Sequence, residues 1–277
     1  LDAAGIPYQR MPVDDRVQRC ALAVRTWEAV YDSERLKRLL YSRLREAQVD
    51  IHTGIGITGL RAGEDYPDPD IFLHAGDGRR ENGAFDRNGY NGYDVVVNCA
   101  YEQQNTLSAQ LGLTPPVRQF EYTVVPIIEV PGLERQALTI MDGPFCSIQP
   151  YGFTDKFLLY HAKHAVRGTF VGTDYPCSWQ LSVGALADCF AALTDLGGVV
   201  LADSARFIPA LANTRLVDYL YGPRMVLANV DDTDARPSVV EQPLPGYITV
   251  FSGKVDTALW VADEVVAQVN AIKDRRV

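Results

Sequence analysis

No apolar run in this chain approaches the roughly 18 residues that a membrane-crossing helix needs. The opening residues, Leu1-Asp2-Ala3-Ala4-Gly5, have neither the basic region nor the apolar core of a secretory leader. A soluble, cytoplasmic protein without a membrane partner is therefore expected. Cysteine is scarce and odd in number: Cys20, Cys99, Cys146, Cys177 and Cys189 lie far apart, mostly in apolar patterns. That spacing argues against a disulfide framework and a zinc knuckle, and points to reduced thiols. Clustered basic charge is missing as well. The net charge is −9 with Lys and Arg scattered along the chain, so no surface for phosphate-backbone recognition is indicated and nucleic acid is not an expected partner. There is no G-x-S-x-G elbow, no H-E-x-x-H helix and no phosphate loop ending in Gly-Lys-Ser, which leaves hydrolase and kinase readings unsupported. Internal repeats, low-complexity tracts and coiled-coil heptads are absent too.

What is present is an ordinary globular balance, 47% hydrophobic and 22% charged over 277 residues, enough for one large or two ordinary domains. Residues Ala21 to Ala29 alternate like a strand. Asp32 or Ser33 then caps a helix whose Leu36, Leu39, Leu40, Leu44 and Ala47 share one face. Val49 to Ile51 and Ile55 to Leu60 read as short strands, and Arg61 to Tyr93 as a polar insertion with little core of its own. Tyr93 to Ala100 is a continuous apolar strand of the kind buried in a parallel sheet, followed by a short helix from Asn105 to Gly112. From Val117 to Val171 several strands are parted by Pro-Gly, Asp-Gly-Pro and Gly-Phe-Thr-Asp turns, predicting an antiparallel sheet. Trp179 to Leu196 and Ala205 to Tyr221 have helical spacing, with the short apolar stretch Val199 to Ala202 between them. Met225 to Asn229 returns to strand.

The last segment is the most informative. The apolar strand Tyr247 to Phe251 runs into Ser252-Gly253-Lys254-Val255-Asp256-Thr257 and then a helical pattern from Ala258 to Ile272. A strand that bends through glycine into a helix turns backbone N–H groups and a positive dipole end toward whatever lies above it. The proline-pinned turn Asp234-Ala235-Arg236-Pro237-Ser238 lies shortly upstream, where it is able to set a guanidinium beside the same ligand. On these residues the chain resembles the FAD-dependent oxidoreductases of the D-amino-acid oxidase and glycerol-3-phosphate dehydrogenase superfamily. Gly253, Lys254 and Thr257 match a Gly-Gly-Lys-x-Thr-Thr pattern, with Ser252 and Asp256 as departures. Asn98-Cys99-Ala100 matches the strand end that meets the pyrophosphate side of FAD, although Tyr101 stands where a glycine is usual. Met141 to Ile148 looks like the strand and turn that face the flavin from the substrate domain.

The resemblance implies a mixed α/β (α+β) fold: a partial Rossmann-like FAD-binding region, residues 32–112 and 225–277, interleaved with an antiparallel-sheet substrate domain, residues 1–31 and 113–224. It implies FAD as cofactor, held by Ile57, Cys99, Ala100, Gly253 and Lys254, and a small polar substrate met by Arg236 and His161, oxidised at a C–N or C–O centre by hydride transfer. A homo-oligomer is compatible with it. One feature of that family is missing. No G-x-G-x-x-G turn between a strand and a helix occurs: Gly54-Ile55-Gly56-Ile57-Thr58-Gly59 mimics the glycine spacing but lies between short strands with no helix following. The chain looks like the family minus a first portion of on the order of a hundred residues. The competing expectation is a non-catalytic binding or scaffold subunit derived from the same family.

The residues themselves leave alternatives. His161 and His164 fall in the predicted strand Phe157 to Val166, where a separation of three sends them to opposite faces and forbids a shared metal. No metal site is expected. His161 is either a proton acceptor beside the flavin or a residue that is simply packed or exposed at the surface. Arg236 either pairs with a substrate carboxylate or phosphate, or steadies its turn through Asp232 or Asp234. Tyr122, Tyr151 and Tyr160 read as core aromatics of strands.

Overall fold

A computed structural model describes residues 5–64, 70–75, 90–141, 145–176, 179, 195–230, 233 and 235–276. In chain order its elements are β1 (Tyr8–Met11), β2 (Ala23–Thr26), α1 (Ser33–Glu46), β3 (Ile57–Ala62), β4 (Ile71–Ala75), β5 (Tyr90–Tyr93), β6 (Val96–Asn98) and α2 (Gln104–Ala109). Then follow β7 (Arg118–Glu129), β8 (Leu138–Ile140), β9 (Cys146–Pro150), β10 (Lys156–His161), the single helical turn α3 (Ala162–Ala165) and β11 (Val166–Gly172). The chain continues through helix α4 (195–205) and ends with β12 (Arg215–Leu227), β13 (Val239–Leu244), β14 (Tyr247–Phe251) and α5 (Ala258–Arg276). No described helix is long and apolar enough to cross a membrane.

The elements fall into two compact units, one made of residues 1–51, 122–168 and 180–222, the other of 52–121, 169–179 and 223–277. The first holds most of the six-stranded sheet, ordered β11-β7-β10-β9-β8 with β12 also on β7. Its pairs β7–β10, β10–β9 and β9–β8 are antiparallel, as the closely spaced turns predict. Its core is Val124, Ile128, Ile148 and Leu159 with Val200 and Ile208 from the α4 region. Helix α1 forms where Asp32 caps it, its carboxylate accepting the Arg35 amide at 2.9 Å and the Phe153 amide at 3.1 Å. These donors hold the Asp32 carboxyl below the ordinary aspartate range. The leucine stripe predicted for this helix is present, yet the helix buries no residue: Leu39 and Leu40 are each 53% exposed.

The second unit holds two three-stranded sheets, β13-β14-β6 and β3-β4-β5. Every residue of β14 is buried, as expected for a central strand with partners on both sides. It runs antiparallel to β13 and parallel to β6, with Tyr247 opposite Val96 and Thr249 opposite Asn98. Polar groups between the two strands are satisfied internally. Asn98 donates to the Tyr247 hydroxyl at 2.7 Å and to the Gln104 carbonyl at 3.0 Å, and Ser108 and Tyr247 share a hydroxyl contact of 3.0 Å. This network ties α2 to the parallel pair. Burial pushes the Tyr247 phenol up against the pull of both partners.

Four expectations need correction. Among the described residues of 61–93, expected as an insertion with little core of its own, β4 and β5 extend β3 into an antiparallel sheet, and Ile71 is fully buried with Leu60 and Tyr247. The parallel strand before α2 is only Val96–Asn98, because Asp94 and Val95 break it from β5. The segment expected as helix from Ala205 to Tyr221 contains a 3₁₀ turn, Pro209–Asn213, and then the first half of strand β12 (215–221), and apolar Val199 to Ala202 lies in α4 instead. Both errors share one cause, since a short apolar run fits either period until a partner decides. Gly197 shows the partner: a Cβ there would come within 2.7 Å of Leu216 and 2.8 Å of the Tyr219 hydroxyl, so its absence lets β12 side chains close on α4. Finally, Phe157 to Val166 is not one strand, because α3 interrupts it after His161. The Trp179 to Leu196 helix and the 142–144 turn lie outside the described residues, Trp179, Asp195 and Leu196 excepted.

Replacing Tyr247 by Phe leaves the Asn98 amide and Ser108 hydroxyl one partner short in a buried place. A loss of about 1–3 kcal/mol in unfolding free energy is expected in urea denaturation. An unchanged midpoint would show that the network adds nothing.

Candidate functional site

Parallel pairing puts the C-terminal ends of β6 and β14 side by side. That edge of an α/β sheet is where ligands sit, because the chain bends away and exposes backbone groups there. After β6 comes Cys99-Ala100-Tyr101, and after β14 comes Ser252-Gly253-Lys254. A small cleft of about 30 Å³ forms at this edge, lined by Tyr101, Arg224, Met225, Arg236, Phe251 and Gly253 among others.

Each wall has a local cause. Tyr101 takes the left-handed backbone conformation, with φ 50°. Glycine adopts that conformation freely, and a bulky residue holds it only under strain of about 1–3 kcal/mol. The position is thus glycine-like in backbone and aromatic in side chain. Tyr101 begins the short 3₁₀ turn Tyr101–Gln103 that leads into α2, and burial raises its phenol pKa while Arg224 and Arg236 pull it down. Both guanidiniums are therefore felt at the tyrosine. Arg224 also forms a largely buried ion pair with Glu121, whose other oxygen accepts from the Gln119 amide at 2.7 Å. Phe251 and Met225 back the cleft within a cluster that includes Phe120 and Tyr175, and the Arg118 guanidinium stacks 4.4 Å from the Phe251 ring centroid.

Gly253 is required here for a reason other than its dihedral freedom. A Cβ at this position would overlap the backbone carbonyls of Arg236 and Pro237, so the bend after β14 and the Arg236 loop touch main chain to main chain. Ser238 locks the contact: its hydroxyl accepts the Gly253 amide at 3.0 Å and meets the Thr257 hydroxyl at 2.6 Å, while Thr257 donates to the Lys254 carbonyl at 2.8 Å. The Gly253 amide is consequently already engaged. On the other strand end the Ala100 amide donates to the Asn98 side chain at 3.0 Å.

The sequence-derived site residues are thus distributed as follows. Arg236 and Gly253 meet at the cleft. Lys254 is exposed on the same bend, and Cys99 and Ala100, exposed and half-buried, follow β6 at the same edge. Ile57 opens β3 and does not line the cleft. His161 belongs to the other unit, where it is fully buried and its Nδ1 accepts the Lys163 amide at 3.3 Å. Burial and neighbouring His164 hold its pKa below the ordinary histidine range. Asp232 and Asp234, weighed as partners for Arg236, lie outside the described residues. Sequence reasoning passed over Arg224 and the locking role of Ser238. The signal for Ser238 was its place two residues after Arg236, whereas nothing local marks Arg224.

No family model and no curated protein matches this chain. Solved structures do. Glycine oxidase from Geobacillus kaustophilus aligns with TM-score 0.57 at 15% identity, covering 92% of this chain and 60% of that one. L-proline dehydrogenase from P. horikoshii aligns with TM-score 0.59 at 12% identity, covering 91% and 61%. Iminodiacetate oxidase from Chelativorans sp. BNC1 gives 0.54 at 13%, covering 89% and 58%. At these identities the likeness is one of fold: the chain has the D-amino-acid-oxidase-like fold, mixed α/β with antiparallel sheets. It spans about three-fifths of the length of the structures it matches.

Gly253→Ala forces two main-chain segments apart and is expected to destabilise by about 1–3 kcal/mol or more in thermal or urea melts, as overpacking does. Ser238→Ala removes only the lock and is expected to lose about 1 kcal/mol. A wild-type melt for Gly253→Ala would contradict the close approach.

Proposed function

We propose that this chain is the bulk of an FAD-dependent oxidoreductase that takes hydride from a small polar substrate, an amine or an alcohol. The observation that carries the reading is the convergence of two strand ends on one cleft: Asn98 to Tyr101 and Ser252 to Lys254 side by side, with Arg236 held against Gly253. The solved structures of like fold are named for glycine, iminodiacetate, L-proline and L-amino acids. All of these are amine-bearing acids, which favours a C–N centre over an alcohol.

The residues present fit the ring end of such a cofactor in part. The Gly253 and Ala100 amides are satisfied within the protein, so the bends would hold the cofactor by shape and charge rather than by a cradle of open N–H groups. Flavin, when bound, supplies the hydride acceptor. Lys254, exposed on the bend, would lie at its electron-rich edge, Gly253 would lie against the ring, and Cys99 and Ala100, with Ile57 further off, would border the adenine and diphosphate side. Arg236 would pair with a substrate carboxylate, the geometry at which a guanidinium excels. His161 is fully buried and has no step in this scheme. The G-x-G-x-x-G spacing of Gly54 to Gly59 runs into strand β3 and not into a helix, so it does not form the strand-turn-helix seat that holds a pyrophosphate.

The engaged Gly253 amide favours a second reading, a non-catalytic binding or scaffold subunit of the same ancestry. The protein purified as its natural gene encodes it separates the two. Near-stoichiometric flavin absorbance supports the enzyme, and colourless protein that takes up no added FAD leaves the scaffold. In the flavin-loaded protein, Arg236→Lys is expected to raise KM for an amino-acid substrate roughly tenfold or more with kcat less affected, since one charge-assisted contact is worth about 1.5–3 kcal/mol. An unchanged KM would remove Arg236 from the substrate.

A further inference from the structure

In the unit built on the antiparallel sheet, three potential metal ligands converge. His161 ends β10, His164 follows within the single turn α3, and Asp203 projects from α4. A strand would send His161 and His164 to opposite faces. The helical turn undoes that, because residues three apart on a helix are neighbours, and the two rings lie 4.6 Å apart, centroid to centroid. Asp203 Oδ2 meets His164 Nε2 at 2.7 Å. One ligating atom from each of the three residues lies within 4.8 Å of the others.

An independent observation points to a ligand. His161 is fully buried, and its Nε2 has no hydrogen-bond partner among the described residues. Because Nδ1 accepts the Lys163 amide, the neutral ring keeps its proton on Nε2, a buried donor without an acceptor. Leaving it so costs about 1–3 kcal/mol. A Lewis acid at Nε2 would relieve this. The ring proton would move to Nδ1, where it faces the Lys163 amide at 3.3 Å, so loading also requires the exposed residues Ala162 and Lys163 to shift and admit a water acceptor.

We propose that His161, His164 and Asp203 form a binding site for a divalent transition cation of the zinc class. Two imidazoles and one carboxylate suit zinc, cobalt or nickel and not calcium or magnesium, which prefer all-oxygen shells. The carboxylate leaves a net charge of +1 on the loaded site. His164 and Asp203 side chains are 13% and 33% exposed, so the cation has an entry path and water fills the open position. Zinc ligands sit about 2.0–2.2 Å from the ion. Loading therefore draws the three atoms together, with Asp203 and His164 moving because they are the less enclosed. The bound ion would clamp the β10–α3 turn to α4. Nothing in this inference rests on the flavin reading.

The test uses the full chain stripped with EDTA and titrated with zinc chloride by calorimetry, with cobalt chloride followed by its visible absorbance. One saturable equivalent is expected, with cobalt bands of low-coordinate nitrogen and oxygen ligation and a thermal midpoint raised by zinc. Asp203→Asn and His164→Gln, both partly exposed and expected to fold, should each weaken binding more than about a hundredfold, beyond the roughly 10–100-fold effect of losing an outer-shell partner. His161→Asn serves as a third variant if circular dichroism shows it folded. No saturable binding in the wild type, equal affinity in the Asp203 and His164 variants, or binding abolished by thiol alkylation would each overturn the proposal.

Discussion

The side-by-side run of β6 and β14 is the constraint on which the candidate site depends. These strands lie far apart in the chain, Tyr247 against Val96 and Thr249 against Asn98, so no local preference brings them together and the closure entropy of a long loop opposes it. What holds them is burial of all five β14 residues and a hydroxyl–amide network sealed inside. Asn98 is the pivot of that network: one side chain donates to Tyr247 and Gln104 and accepts from Ala100. It fastens the parallel partner, the helix that follows and the first residue of the bend at once.

From that edge the site is assembled by backbone contact more than by side chains. Gly253 lets the Arg236 loop touch the β14 bend directly, and Ser238 and Thr257 close the seam. Tyr101 supplies the opposite wall from a strained left-handed position. Strain of this size persists where the surroundings over-determine the conformation, and here the Tyr101 ring packs with the Phe120, Tyr175, Met225 and Phe251 cluster. Two arginines reach the same cleft with different fates. Arg224 is paired in a nearly dry place, where the partner carboxylate offsets the loss of hydration, while Arg236 is set by the seam.

Helical and strand-like patterns were legible where one period dominated and a cap or turn bounded it. The Asp32 cap, the leucine stripe of α1 and the antiparallel run of β7 to β10 are examples. Legibility failed where partners decide. β12 has apolar residues at both spacings, and pairing with β7 selects the extended form. β4 carries little signal in a polar surrounding, yet Ile71 is fully buried because Leu60 and Tyr247 cover it. The one-turn α3 is too short for any periodicity to announce, and it reverses the geometric argument that kept His161 and His164 apart. Of the candidate site, the glycine bend, the Asn98 strand end and Arg236 were visible as motifs, because backbone bends and proline-pinned turns leave compositional marks. Arg224 was not, since a strand arginine looks the same whether it faces a cleft or water.

By itself the amino-acid order determined which segments extend, coil or bend, since those outcomes follow from apolar period, capping side chains and glycine or proline within a few residues. It also determined that a strand bends through Gly253 into a helix. Only the tertiary structure decided which bends meet, that the Gly253 amide is spent on Ser238, and that a helical turn gathers two histidines and an aspartate. Those are distances between segments remote in the chain, and long-range burial sets them with no trace in any local window.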